Sequence, residues 1–224
     1  MIFDPLYLVL LLPTIIIAMW AQAKVRSTFA KFSQVRTRSG ITGAAMARHI
    51  LNQNGCEHVT IEPVAGEMSD HYDPRSQTLR LSQGVYNSAS MAAVGVAAHE
   101  AGHAVQHRRG YWPMHIRQGL VPVVMLGPGA AMMMFVLGMF FRSPILMQMA
   151  ILLFAGIVLF NLVTLPVEFN ASRRALKLMR TSGYVTEEEL TGARKVLLAA
   201  ALTYVAATLT AIMWLVYAIM RSRR

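Results

Sequence analysis

"PLYLVLLLPTIIIAMWAQA", residues 5–23, decides what kind of protein this is. A helix that crosses a bilayer needs about 20 mostly apolar residues, and this run supplies them without one charge. Ala21 and Ala23 could form the small-residue site of a secretory signal. However, no Lys or Arg precedes the run, while Lys24, Arg26, Lys31, Arg36 and Arg38 follow it, the reverse of a signal peptide's charge order. The stretch therefore reads as an uncleaved anchor. Three more spans follow: 119–141, 145–167 and, from about Val196, to Met220, with "RSP" at 142–144 as the turn between the second and third.

The composition agrees. Of 224 residues, 55% are hydrophobic and only 14% charged, whereas soluble domains run nearer one quarter charged. The net charge of +10 could suggest a nucleic-acid partner in a soluble chain. Here the basic residues flank apolar runs, so anionic lipid headgroups are the expected partner and nucleic acid is not. The single Cys56 excludes an intrachain disulfide and a Cys-based zinc site. With the N-terminus outside, segments 24–118 and 168–195 carry 11 and 6 Lys plus Arg, against 1 in the outer turn and 3 in the tail. That distribution follows the positive-inside rule and predicts a cytoplasmic location for both segments. The expected organisation is a first span (1–23), a cytoplasmic unit (24–118), a spanning hairpin (119–167), a second cytoplasmic segment (168–195) and a last span with a basic tail (196–224). The fold class is an α-helical integral membrane protein of about four spans with a small cytoplasmic α+β unit.

Within that unit, Thr42 is placed to cap a helix over 43–54 that Gly55 stops. "HVTIEPV" (58–64) and "TLRLS" (78–82) alternate like strands around "YDPRS", a turn composition. A second helix is predicted over roughly Ser88–His107. Downstream, "TEEE" (186–189) reads as a capping box of Thr186 with Glu189, opening a helix that runs unbroken into the last span.

The predicted second helix carries "HEAGHAVQH", 99–107. His99 and His103, four apart, share a helix face and can reach one zinc ion. Glu100 then projects beside the metal's open position, where it can take a proton from the attacking water. A third ligand is required. His107 lies in the same row, but three His at this spacing cover about 12 Å of helical rise, too far for one ion. His115 and His71 have no supporting spacing. Glu168, in "LPVEFNASRRAL" (165–176), is a carboxylate at the end of the third span, on the side the charge count assigns to His99. An ionisable group there is expensive unless paired, metal-bound or wet, so Glu168 is either this ligand or a partner of Arg173 or Arg174.

"HEAGHAVQH", "LPVEFNASRRAL" and, before them, "DHYDPRSQTLRLS" (70–82) together resemble the YugP-type family of bacterial membrane zinc metallopeptidases over nearly the whole chain. The resemblance implies a zinc endopeptidase of the gluzincin kind in the bacterial inner membrane. Its zinc would be held by His99, His103 and Glu168, with Glu100 catalytic and protein or peptide substrates. A looser likeness to HtpX-type membrane proteases points to a difference. Those usually place an Asp four residues after the ligand Glu, where this chain has Ser172, with Asn170 two after Glu168. The hydrogen bond that orients a ligand is therefore expected from another group. "DHYD" (70–73) offers His71 or Tyr72 to an oxyanion, or simply a turn held by its Asp side chains. A site-2-type protease is disfavoured, because the later spans hold no Asp and residues 24–38 and 66–90 are too polar for the bilayer midplane. A metal-binding scaffold or transport component without turnover is the alternative function, and Glu100 argues against it.

Overall fold

The computed structural model describes residues 4–223. In chain order the elements are α1 (Pro5–Ser33), α2 (Gly43–Gln53), β1 (Thr60–Val64), β2 (His71–Asp73), β3 (Thr78–Ser82), α3 (Gln83–Tyr86), α4 (Met91–Arg108), α5 (Trp112–Phe140), α6 (Pro144–Thr181) and α7 (Glu187–Ser222). Helices α1, α5, α6 and α7 are each long and apolar enough to cross a membrane. The helices outrun the predicted spans: α1 continues to Ser33, and α6 runs past Glu168 without a break. The chain divides into two compact units. One comprises Met1–Gln22, Pro113–Pro166 and Leu202–Arg224, the other Ala23–Trp112 and Val167–Ala201.

The first unit is built on large apolar side chains. Leu11, Phe135, Phe154, Tyr217 and small residues such as Ala131 and Ala150 form its buried centre. Trp214 stacks on Phe154, with ring centroids 5.9 Å apart and planes 11° from parallel. Around this centre the outward residues are also apolar: Val9, Leu126, Phe140 and Leu152 are each more than 70% exposed. The turn at Arg142 needs a left-handed residue (φ +51°), and the Ser143 N–H closes it onto the Gly138 carbonyl at 2.9 Å.

The second unit folds around α4. Thr42 caps α2 as predicted, its hydroxyl accepting from the Ala45 N–H at 3.2 Å. Gly55 (φ +69°) ends the helix in the left-handed region that costs glycine least, and the next N–H, of Cys56, returns to the Leu51 carbonyl at 2.9 Å. Met46, Ala47, Ile50 and Leu51 of α2 enter one core with Leu79, Leu81, Val85 and the small residues of α4. The sheet has three strands in the order β1-β3-β2, with β3 parallel to β1 and antiparallel to β2. Two strands were legible by alternation; β2 was not, because it is only three residues long and two of them, Tyr72 and Asp73, fall inside the "turn" composition. The Thr186–Glu189 capping box forms in both directions, Glu189 Oε2 accepting from the Thr186 N–H at 2.8 Å and Thr186 Oγ1 from the Glu189 N–H at 3.3 Å. Glu189 is 3% exposed, and its other oxygen accepts from the Arg38 N–H at 2.6 Å, tying the segment after α1 to the start of α7.

Candidate metal centre

Helix α4 is nearly all Ala, Gly and Val up to His99, and that composition is what positions the site. Ser90 caps the helix through the Ala93 N–H at 3.2 Å. Its small residues let neighbouring helices approach closely. A Cβ on Gly102 would stand 3.0 Å from the Ala171 carbonyl oxygen of α6, and one on Gly95 would stand 3.1 Å from the Ala193 Cβ of α7. Gly102 precedes His103, and Ala171 follows Glu168 by less than one turn. The close crossing therefore brings these three side chains together.

His99, His103 and Glu168 each offer a ligand atom, and all of these atoms lie within 4.8 Å of one another. One oxygen, Glu168 Oε2, is 3.2 Å from His99 Nε2 and 3.6 Å from His103 Nε2. The imidazoles stand almost perpendicular, at 88°, with centroids 4.8 Å apart. Glu168 is 2% exposed, and His103 6%. Burial pushes the Glu168 carboxyl up, but the charge and hydrogen bonds of His103 and His99 outweigh it and hold the group well below the usual carboxylate range. In this chain Glu168 therefore faces the histidines, not Arg173 or Arg174. Arg173 Nε donates to the Phe169 carbonyl at 3.4 Å, and Arg174 Nε to Asn170 Oδ1 at 2.7 Å.

Each imidazole is held from behind. His103 Nδ1 lies 2.9 Å from Gln106 Oε1. The Gln106 amide nitrogen donates to the Val167 carbonyl and to Asn170 Oδ1, both at 2.9 Å, which fixes the oxygen toward the histidine. His99 Nδ1 lies 3.1 Å from Ser172 Oγ. The Gln106 oxygen can only accept, so His103 Nδ1 carries a proton and the neutral ring would offer Nε2 to a metal, while the Ser172 hydroxyl can donate to or accept from His99 Nδ1. Two neutral imidazoles and a carboxylate form a donor set that suits zinc, so the residues present fit that ion. The expectation that the orienting bond would not come from Ser172 is thus corrected. Ser172 reaches His99 with a hydroxyl, and Gln106, one turn after His103, serves the second imidazole. Neither was chosen from the sequence, because a Gln in a helix has no motif.

Glu100 is half-buried beside the cluster. Burial, reinforced by the Glu168 and Asp70 charges, outweighs the His99 charge and a backbone hydrogen bond and pushes its carboxyl up to about 7. That bond comes from the Tyr72 N–H to Glu100 Oε2 at 3.0 Å. Strand β2 is positioned for it partly by Asp70, whose Oδ1 accepts from the Ser82 N–H at 2.7 Å. Of the sequence's other candidates, the His107 Nδ1 is 2.9 Å from the Tyr72 hydroxyl, and the His71 Nδ1 is 2.8 Å from the Ser69 carbonyl. Among the described residues, neither joins the cluster of His99, His103 and Glu168, and His115 belongs to the first unit.

The chain is 45% identical over 207 residues to a Bacillus subtilis (strain 168) protein named "Putative membrane protease YugP", and the match covers 92% of both chains. No solved structure matches. The family described as "putative neutral zinc metallopeptidase" matches residues 7–223. This protein therefore belongs to that zinc metallopeptidase family.

Proposed function

We propose that the chain is a multi-pass protease of the bacterial cell membrane that hydrolyses peptide bonds in membrane or membrane-adjacent proteins, with its site on the cytoplasmic side. The observation that carries the reaction is the convergence of His99, His103 and Glu168 beside Glu100. The observation that supports the bilayer is the exposed apolar surface of the first unit, which water would not tolerate at this extent. The skew of Lys and Arg toward 24–118 and 168–195 supports the cytoplasmic side.

In this reading His99, His103 and Glu168 hold zinc, making the site gluzincin-like. The ion supplies Lewis acidity, which brings the deprotonation of water near neutral pH. The rest of the chemistry belongs to the chain. Glu100 accepts the proton of the attacking water on a carboxylate oxygen as the water oxygen bonds to the peptide carbonyl carbon. It returns that proton to the amide nitrogen as the C–N bond breaks. An environment that raises the affinity of Glu100 for a proton suits a group that must both take one and give it back. The Tyr72 N–H fixes one Glu100 oxygen and leaves the other for the water. Gln106 and Ser172 hold the two imidazoles in orientation, and the Gln106 oxygen also fixes the tautomer of His103.

The test is zinc per chain and casein hydrolysis for purified wild-type, Glu168→Ala and Glu100→Gln protein. Glu168→Ala is expected to lose both metal and activity, and Glu100→Gln to keep the metal while losing at least a hundredfold in rate. Wild-type zinc content in Glu168→Ala would remove it as a ligand. Undiminished hydrolysis by Glu100→Gln would leave the proton transfer to another group and reopen the non-catalytic scaffold reading.

A further inference from the structure

Between α6 and α7 lie two adjoining cavities, of about 300 and about 260 Å³, which share Arg173, Leu176 and Arg194 in their walls; the smaller also has Ser172 in its wall and so adjoins the metal centre. Their chemistry changes along the helices. At one end the lining is apolar: Phe169 and Leu198, both exposed, together with Leu176 and Leu197. At the other end stand Lys177 and the Arg180–Glu187 pair, with Arg180 donating to both Glu187 oxygens at 2.7 and 2.9 Å. Arg173 and Arg194 lie at the junction and line both cavities.

The charge there is not balanced. Glu187 is the one acid in the lining, and Arg180 already engages it. Among the described residues no carboxylate pairs with Arg173, Lys177 or Arg194. The polarity also has a direction along the chain. Phe169 lies two residues past the apolar stretch of α6 that ends at Val167, and Leu198 lies near the start of the apolar stretch of α7. The basic end lies further from both. An apolar slot on the bilayer side of three unpaired cations has the polarity of a phospholipid held at the interface.

We infer that this α6–α7 groove is a binding site for one anionic phospholipid, with its phosphate on Arg173, Arg194 and Lys177 and an acyl chain along Phe169, Leu176 and Leu198. Guanidinium groups engage phosphate oxygens bidentately, which a zwitterionic headgroup's own ammonium would oppose. The inference uses the membrane placement proposed above but not the hydrolytic chemistry.

The experiment is native mass spectrometry of the full-length protein in detergent, titrated with phosphatidylglycerol or phosphatidylcholine. One saturable phosphatidylglycerol is expected, bound at least tenfold more tightly than phosphatidylcholine. Arg173→Ala/Arg194→Ala should weaken phosphatidylglycerol about tenfold while melting like the wild type. Leu198→Trp should weaken it with every charge intact, and millimolar inorganic phosphate should not displace it. Equal binding of the two lipids by wild-type protein would overturn the inference, whatever the variants do. So would wild-type affinity in the folded variants, or displacement by inorganic phosphate, which would make this a site for a free anion. A chain that stays monodisperse in water without detergent would instead overturn the membrane placement itself.

Discussion

Gln106 Oε1 accepts from His103 Nδ1 at 2.9 Å, inside a helix where both residues are buried. A neutral amide thus does what a carboxylate does in many zinc sites: it sets which nitrogen of the histidine carries the proton. The amide cannot reverse, because its nitrogen already faces two acceptors, the Val167 carbonyl and Asn170 Oδ1. Gln106→Leu is expected to lower zinc affinity by about 10- to 100-fold. Gln106→Glu should not restore it, since a carboxylate oxygen would then confront those same two acceptors. Zinc competition with a chromophoric chelator reads both, and wild-type affinity in Gln106→Leu would refute the role.

Ser172 should matter less than Gln106. Its partner His99 is more exposed than His103, so water can replace the lost hydroxyl. Ser172→Ala is expected to weaken zinc by less than about tenfold. A loss exceeding that of Gln106→Leu, measured in the same chelator assay, would contradict this ordering.

The crossing at Gly102 sets a steric test. Gly102→Ala places a methyl 3.0 Å from the Ala171 carbonyl, and Gly102→Val adds two more carbons at the same point. The helices must separate, at a cost of about 1–3 kcal/mol for the valine variant. Because His103 and Glu168 flank the contact, metal loss should accompany the fall in melting temperature. Zinc stoichiometry that stays at the wild-type level in Gly102→Val would show that the close approach is dispensable for the site.

Glu189 makes a pH prediction. Burial raises its carboxyl, but the Thr186 and Arg38 N–H donors prevail and lower it below its ordinary value of 4.5. A group with a depressed folded-state pKa stabilises the protein above its unfolded pKa, and that contribution is lost as pH falls through the folded value. Glu189→Ala should therefore cost about 2 kcal/mol at pH 7, from a lost cap and two unsatisfied donors. The gap between variant and wild-type melting should narrow as the pH drops below about 4.5. A gap that stays constant down to pH 3 would mean the carboxylate charge is not the source.

Much of this arrangement was legible in the sequence because its signals are local. Apolar length marks the four long helices, Thr42 and the Thr186–Glu189 pair mark helix starts, and i to i+4 spacing joins His99 to His103. Glu168 stood out because a carboxylate at the end of an apolar run is costly. What stayed hidden depends on tertiary contact. Gln106 and Ser172 acquire their roles only when α4 and α6 cross. Strand β2 exists because β3 offers it an edge, and its three residues carry no period. The Tyr72 N–H is a backbone donor, which no side-chain pattern can announce.

The separation of 69 residues between His99 and Glu168 also bears on how the protein is made. Synthesis proceeds from the N-terminus, so the HEAGH helix emerges with Glu100 and two of three candidate ligands while the third is still untranslated. A chain arrested anywhere before residue 168 lacks the carboxylate that faces the histidines. The intervening residues include all of α5 and the apolar part of α6, so completion of the cluster waits on the translation of that entire hairpin. A hydrolase assembled in this order would stay inert until both long apolar helices between its candidate ligands had been made.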